Sequence, residues 1–201
     1  MIECSPRIVL LVDGSVESIT CAAIAMDRLE HAPKPVKIIP ISFLDSEESE
    51  CSAQRAEVIK RQFQYLGIVP TESDLNPARG IVGLVMAIEQ AGPEGTVMWP
   101  RRCTADPEGI ARTLGLVEHL TGLAHCAHPG ATTEIDLPLL DLSPSQVLEL
   151  GASLGAPLQA GWPCEADRAQ PCQSCDPCQL WIEASRASGR PVPWFSELVA
   201  P

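Results

Sequence analysis

"IVLLVDGSVESITC", residues 8–21, decides the fold. RIVLLV (7–12) is a short apolar run rich in β-formers, and SITCAAIAMDRLE (18–30) reads as a helix capped by Ser18. Between them lies a tight turn. Such a turn holds phosphates when small residues let backbone N–H groups converge at the positive end of the helix. DGSVES (13–18) supplies a turn glycine, Gly14, and the hydroxyls of Ser15 and Ser18. Asp13 and Glu17, however, bring two negative charges to the same spot, where without a cation they repel a triphosphate. Two readings stay open: a nucleotide loop made of Val12, Asp13, Gly14, Ser15, Val16, Glu17 and Ser18, or an ordinary strand-to-helix turn.

Further along, VKIIPISFL (36–44) reads as a second buried strand and AQRAEVIKRQFQYLG (53–67) as a helix ending at Gly67. IVGLVMAIEQAG (81–92) predicts a helix and TVMW (96–99) a strand. Helices follow at 107–124 and 144–154, the latter opened by Ser143 with Pro144 at its first position, and IDLPLLDL between them is a candidate last strand. Strands alternating with helices through short loops imply a doubly wound parallel α/β sheet, with any ligand at the carboxyl ends of the strands. From Pro157 onward the chain turns to proline, cysteine and polar residues, and such a tail needs something other than a core of its own to order it. The expected organisation is an α/β domain over 1–160 with a C-terminal extension over 161–201 packed on it.

A chain of 201 residues with a net charge of −12 disfavours broad binding to nucleic acid or anionic membrane. No apolar run approaches the length of a membrane span, and MIECSPR lacks the features of a secretory signal, so the expectation is a soluble cytoplasmic protein. A homodimer is compatible with it.

Nine cysteines include five that are scattered (Cys4, Cys21, Cys51, Cys103, Cys126) and four that crowd together (Cys164, Cys172, Cys175, Cys178). "CEADRAQPCQSCDPC" spaces these four so that tight turns aim pairs of thiolates at one tetrahedral ion. Four sulfurs leave no open coordination position, which predicts structural zinc that orders the tail. A redox pair would leave two cysteines unexplained; an iron–sulfur cluster is the other alternative.

Arg101 and Arg102 form the densest basic pair, able to bind a carboxylate or phosphate bidentately or to lie solvated on the surface. His119, His125 and His128 have no diagnostic spacing and read as surface residues, whereas Cys21 and Cys103 read as small core residues. Trp162, Trp181 and Trp194 flank the tail and are expected to pack it against the sheet.

The loop and the cysteine cluster together resemble the 7-cyano-7-deazaguanine synthase family, enzymes of the PP-loop (adenine nucleotide α-hydrolase) type. The family's SGGxDS loop aligns with Asp13–Ser18, its TTC with Ile19, Thr20 and Cys21. Its last helix and zinc motif align with DLPLLDLSPSQVLELGASLGAP (136–157) and GWPCEADRAQPCQSCDPCQL (161–180). The resemblance implies an ATP-dependent conversion of a deazapurine carboxylate to a nitrile in queuosine-type biosynthesis, with ATP and Mg²⁺ as cofactors and release of AMP and pyrophosphate. The departures cluster at that chemistry. Only Gly14 and Ser18 match the loop. Pro144 stands for a lysine, DSEES (45–49) replaces the pattern after the second strand, WPRRCTADPEG (99–109) only echoes the substrate segment, and Trp181 stands for an arginine. Two functional expectations follow: a divergent ATP-dependent enzyme relying on metal held by Asp13 or Glu17, or a catalytically silent homologue that binds a nucleotide or protein partner as a scaffold or regulatory subunit.

Overall fold

The computed structural model describes residues 6–44, 53–166 and 170–195. Arg7–Val12 forms strand β1, and Val16–His31 forms helix α1. β2 (Lys37–Leu44), α2 (Ala53–Tyr65), the two-residue β3 (Ala78–Arg79), α3 (Gly80–Ala91) and β4 (Thr96–Met98) follow. Among the described residues α4 (Pro107–Ala127), β5 (Glu134–Asp136), α5 (Pro144–Ser153) and α6 (Asp176–Ser188) follow, with 3₁₀ turns at Leu158–Ala160 and Pro193–Phe195.

Among the described residues all strand pairs are parallel, in the order β3-β2-β1-β4-β5. The chain therefore winds outward on one side of β1 and then crosses to the other, which makes the carboxyl ends of β1 and β4 the switch point where α/β sheets bind ligands. β1 is buried on both faces, as its unbroken apolar run requires. Leu10 and Val12 point into a core made with α1, α2, α5 and α6, and Val9 and Leu11 into a second core made with α3 and α4. Among the described residues no helix is long and apolar enough to cross a membrane.

Two local readings change. The cap of α1 is Ser15, one turn before the expected Ser18: its hydroxyl accepts a hydrogen bond from Ser18 N at 3.0 Å. Gly14, at φ +81°, makes the turn that places Ser15 there, a conformation that strains any side chain with a Cβ. The last strand stops at Asp136 instead of running through IDLPLLDL, because Pro138 has no N–H for the ladder. The tail carries a regular helix, α6, begun at Asp176-Pro177 and ended by Gly189.

α5 opens as Pro144 suggested, with a full capping box: Gln146 N donates to Ser143 Oγ and Ser143 N to Gln146 Oε1. Ser143→Ala is expected to lower the unfolding free energy by about 1 kcal/mol. Urea titration would read this, and an unchanged midpoint would mean that α5 is held by packing alone.

Candidate functional site

Two loops meet at the switch point, Asp13–Ser15 after β1 and Trp99–Asp106 after β4. In the first, the backbone donors are satisfied internally. Ser15 N donates to Asp13 Oδ1 at 2.8 Å, Ser18 N donates to Ser15 Oγ, and Glu17 N–H bonds its own carboxylate. Acidic and hydroxyl oxygens of the chain thus take the amides that a phosphate would need.

Glu17 then reaches across the switch point. Its Oε1 accepts from Arg102 Nε at 2.9 Å, and both side chains are under 15% exposed. Burial raises the Glu17 carboxyl above its ordinary range, against the pull of the neighbouring guanidinium. Arg102 also donates through Nη1 to Thr104 Oγ1 at 2.9 Å, and its guanidinium carbon lies 5.8 Å from the centroid of the Trp181 ring. The tryptophan that replaces the resemblance's arginine on α6 thus supports a guanidinium supplied from the loop after β4.

Beneath the loop sits a residue that sequence reasoning missed. Gln62, fully buried on α2, accepts from Ser18 Oγ and donates through Nε2 to Ser15 O at 3.0 Å and to Ala160 O at 2.8 Å. A glutamine in an apolar helical stripe between Ile59 and Phe63 was the only signal.

The two arginines are not brought together. Arg101 turns to the other face of the sheet, its guanidinium carbon 5.9 Å from the Trp99 ring centroid. There it lines a cavity of about 220 Å³ with Phe43, Ile81, Trp99, Leu116 and Arg112. Phe43 and Trp99 meet edge to face, their centroids 6.4 Å apart. Arg112 is 70% exposed and pairs with Asp106 and Glu108 at 3.6 Å each, contacts that an incoming anion can displace at little cost.

The four cysteines do converge. One sulfur from each of Cys164, Cys172, Cys175 and Cys178 lies within 4.8 Å of the others. Cys172 Sγ and Cys178 Sγ are 4.0 Å apart, Cys175 Sγ and Cys164 Sγ 3.9 Å. A regular tetrahedron with Zn–S bonds of about 2.3 Å requires sulfurs roughly 3.8 Å apart. Backbone N–H groups of Ala166 and Cys172 point at Cys164 Sγ, and that of Cys175 points at Cys172 Sγ, each at 3.3 Å. The Cys172 thiol, bonded first by the Ser174 hydroxyl, is pushed down to about 5, while burial pushes Cys164 and Cys178 up. Four sulfurs this close share negative charge only around a cation, so the group can hold a metal such as zinc.

Other candidates stay apart. His119, His125, Cys126 and His128 are exposed; Cys21 and Cys103 are buried in the core. Trp162 and Trp181 are buried in the core shared with α1 and α2, and Trp194 packs on it. Cys4, Cys51 and the DSEES segment lie outside the described residues.

The model of the queuosine biosynthesis protein QueC family matches residues 112–189, from α4 to the end of α6. A 7-cyano-7-deazaguanine synthase of Parasynechococcus marenigrum is 34% identical over 118 residues, 58% of this chain and 48% of that protein. One of a Synechococcus species is 28% identical over 131 residues, 62% of this chain and 58% of that protein. The same enzyme of Archaeoglobus fulgidus is 30% identical over 81 residues, 40% of this chain and 34% of that protein. The chain spans about half the length of the first two relatives.

Proposed function

We propose that this QueC-like chain works in the cytoplasm as a non-catalytic homologue of the 7-cyano-7-deazaguanine synthases, with its nucleotide loop closed on itself and a small-acid pocket retained. In this reading residues 1–160 form the sheet domain, and 161–201 form an extension, packed on it, that a structural zinc holds through Cys164, Cys172, Cys175 and Cys178. The Glu17–Arg102 pair across the switch point is the observation that carries the proposal. The chemistry that the resemblance implies requires amide donors and positive charge free to meet the leaving pyrophosphate. Here the Ser15, Glu17 and Ser18 amides and the Arg102 guanidinium already hold the chain's own oxygens.

Magnitudes support the closed reading. Separating a buried ion pair costs about 3–5 kcal/mol, and two unit charges about 4 Å apart near a protein surface repel by roughly 4 kcal/mol. An anionic phosphate facing Asp13 and Glu17 would meet both terms, and every 1.4 kcal/mol is about tenfold in affinity.

The aromatic cavity supports the retained half of the function. At about 220 Å³ it falls below the roughly 300–1,000 Å³ of ordinary ligand pockets. That favours a single planar heterocycle over a whole nucleotide, and Arg101 and Arg112 favour one bearing an acid. Trp99 and Phe43 supply the apolar walls; a deazapurine carboxylate has this chemistry.

A second reading rests on the family match over the tail: a divergent ATP-dependent ligase in which Asp13 or Glu17 holds Mg²⁺ and the Val12–Ser18 loop takes the phosphates. Calorimetry with ATP, with and without Mg²⁺, separates the two. The closed-loop reading expects no heat in either titration and no pyrophosphate release with a panel of deazapurine carboxylic acids. Binding that requires Mg²⁺ and is abolished by Asp13→Ala would overturn it in favour of the ligase.

A further inference from the structure

The tail grips the loop from two sides, and each grip begins within three residues of a cysteine. On one side the segment Ala160–Trp162 lies across the loop. Trp162 N donates to Gly14 O at 2.8 Å, and Gln62 Nε2 joins Ala160 O to Ser15 O. Gly161 passes so close that a Cβ there would come within 2.9 Å of Val16 Cα and 3.2 Å of Ser15 O. Cys164 follows two residues later. On the other side Cys178, in the first turn of α6, is three residues before Trp181, so the two share a helix face. Trp181 backs the Arg102 guanidinium, which holds Glu17.

We propose that the four-cysteine site is a control point for the loop: a bound metal such as zinc fixes the strap at Ala160–Trp162 and the Trp181 backing of Arg102, and release of the metal frees the loop between Asp13 and Ser18. Among the described residues between Cys164 and Cys178 there is no strand and no helix before Asp176, so converging sulfurs set the spacing between the two grips. With the sulfurs apart, the strap and α6 lose their common anchor, and the contacts on Gly14, Ser15 and Arg102 lose their geometry together. Coupling of this kind is reciprocal: whatever loosens the loop's grip on the tail weakens metal affinity by the same factor. The proposal uses the closed loop as the starting state. ATP binding to the metal-loaded chain would refute that starting state, whereas the coupling is decided separately by exchange and metal affinity.

The test is amide hydrogen exchange on the full chain, zinc-loaded and chelator-treated, following Asp13–Ser18, with α3 on the opposite face of the sheet as the control for global unfolding. Exchange at the loop is expected to rise on the order of tenfold or more while α3 stays protected. Unchanged loop protection after metal removal overturns the proposal. Trp181→Ala, which leaves all four cysteines in place, gives an independent reading and decides the matter if chelation also releases α3. It is expected to speed loop exchange and to weaken zinc affinity by a matching factor in competition with a chromophoric chelator. Loop exchange and zinc affinity both equal to the parent's in that variant would refute the coupling.

Discussion

Arg102→Met is expected to lower the unfolding free energy at pH 7 by about 3–5 kcal/mol, because it strands a buried carboxylate. Glu17 is 13% exposed, and Asp13 lies near enough to disfavour its charge further. Loss of the guanidinium over the Trp181 ring adds about 0.5–2 kcal/mol. Removing both charges tells a different story: Glu17→Gln combined with Arg102→Met should recover most of the deficit, since a buried ion pair and a neutral replacement are often close in free energy. The pH dependence has a definite sign. Burial holds the folded Glu17 carboxyl above its unfolded value of 4.5, so the folded state keeps the proton more tightly. Its contribution to stability is fully present below about pH 4.5 and is lost as pH rises through the folded value. Without Arg102 to pull that value down, the window widens upward, and the deficit of Arg102→Met should grow between about pH 4.5 and pH 7. Urea titrations across that range measure it. A deficit under about 1 kcal/mol, flat with pH, would mean that water reaches the carboxylate and that the pair does not close the loop.

The residues that were legible in the sequence carry local signals. RIVLLV is the observed β1 to the residue, because a strand buried on both faces must be apolar throughout. The spacing of the four cysteines fixes their convergence in much the same way, since short turns leave few ways to place two thiolates. What escaped depends on partners far along the chain. Ser15 and Ser18 are equally good caps by type; Ser18 is free to be an interior residue only because Gln62, 44 positions away, accepts its hydroxyl. Arg101 and Arg102 read as one basic patch, yet successive residues of the loop after β4 face opposite sides of the sheet, one toward Trp99 and one toward Trp181. Asp13 and Glu17 look like errors in a phosphate loop until the amides they accept from, and the guanidinium opposite Glu17, are in view. β3 is two residues long and exists by pairing with Phe43 and Leu44, which no periodicity in so short a segment can announce.

Cys175→Ser is expected to abolish stoichiometric zinc and to destabilise the core that the tail shares with α1, α2 and α5. The tail contributes Trp162, Trp181, Ile182 and Val192 to the core shared with α1, α2 and α5, each under 10% exposed. Large apolar side chains are worth roughly 1.5–3 kcal/mol each when buried, so exposing these four removes about 6–12 kcal/mol as an upper estimate. The loss falls on that face of the sheet, whereas α3 packs in the other core with Val9 and Leu11. In the proposed reading a bound ion offsets the ordering entropy of the stretch between Cys164 and α6, whose described residues form no strand or helix before Asp176. Cys175 itself is only partly buried, so the serine creates no cavity, and the exposed Cys126→Ser serves as a neutral control. Metal analysis should fall from about one zinc per four sulfurs to near zero, and the thermal midpoint should drop to that of the chelated parent. A variant that loses its metal yet melts with the parent would assign the tail's order to the tryptophans alone, and the sulfurs would then be packed against the sheet instead of fastening anything to it.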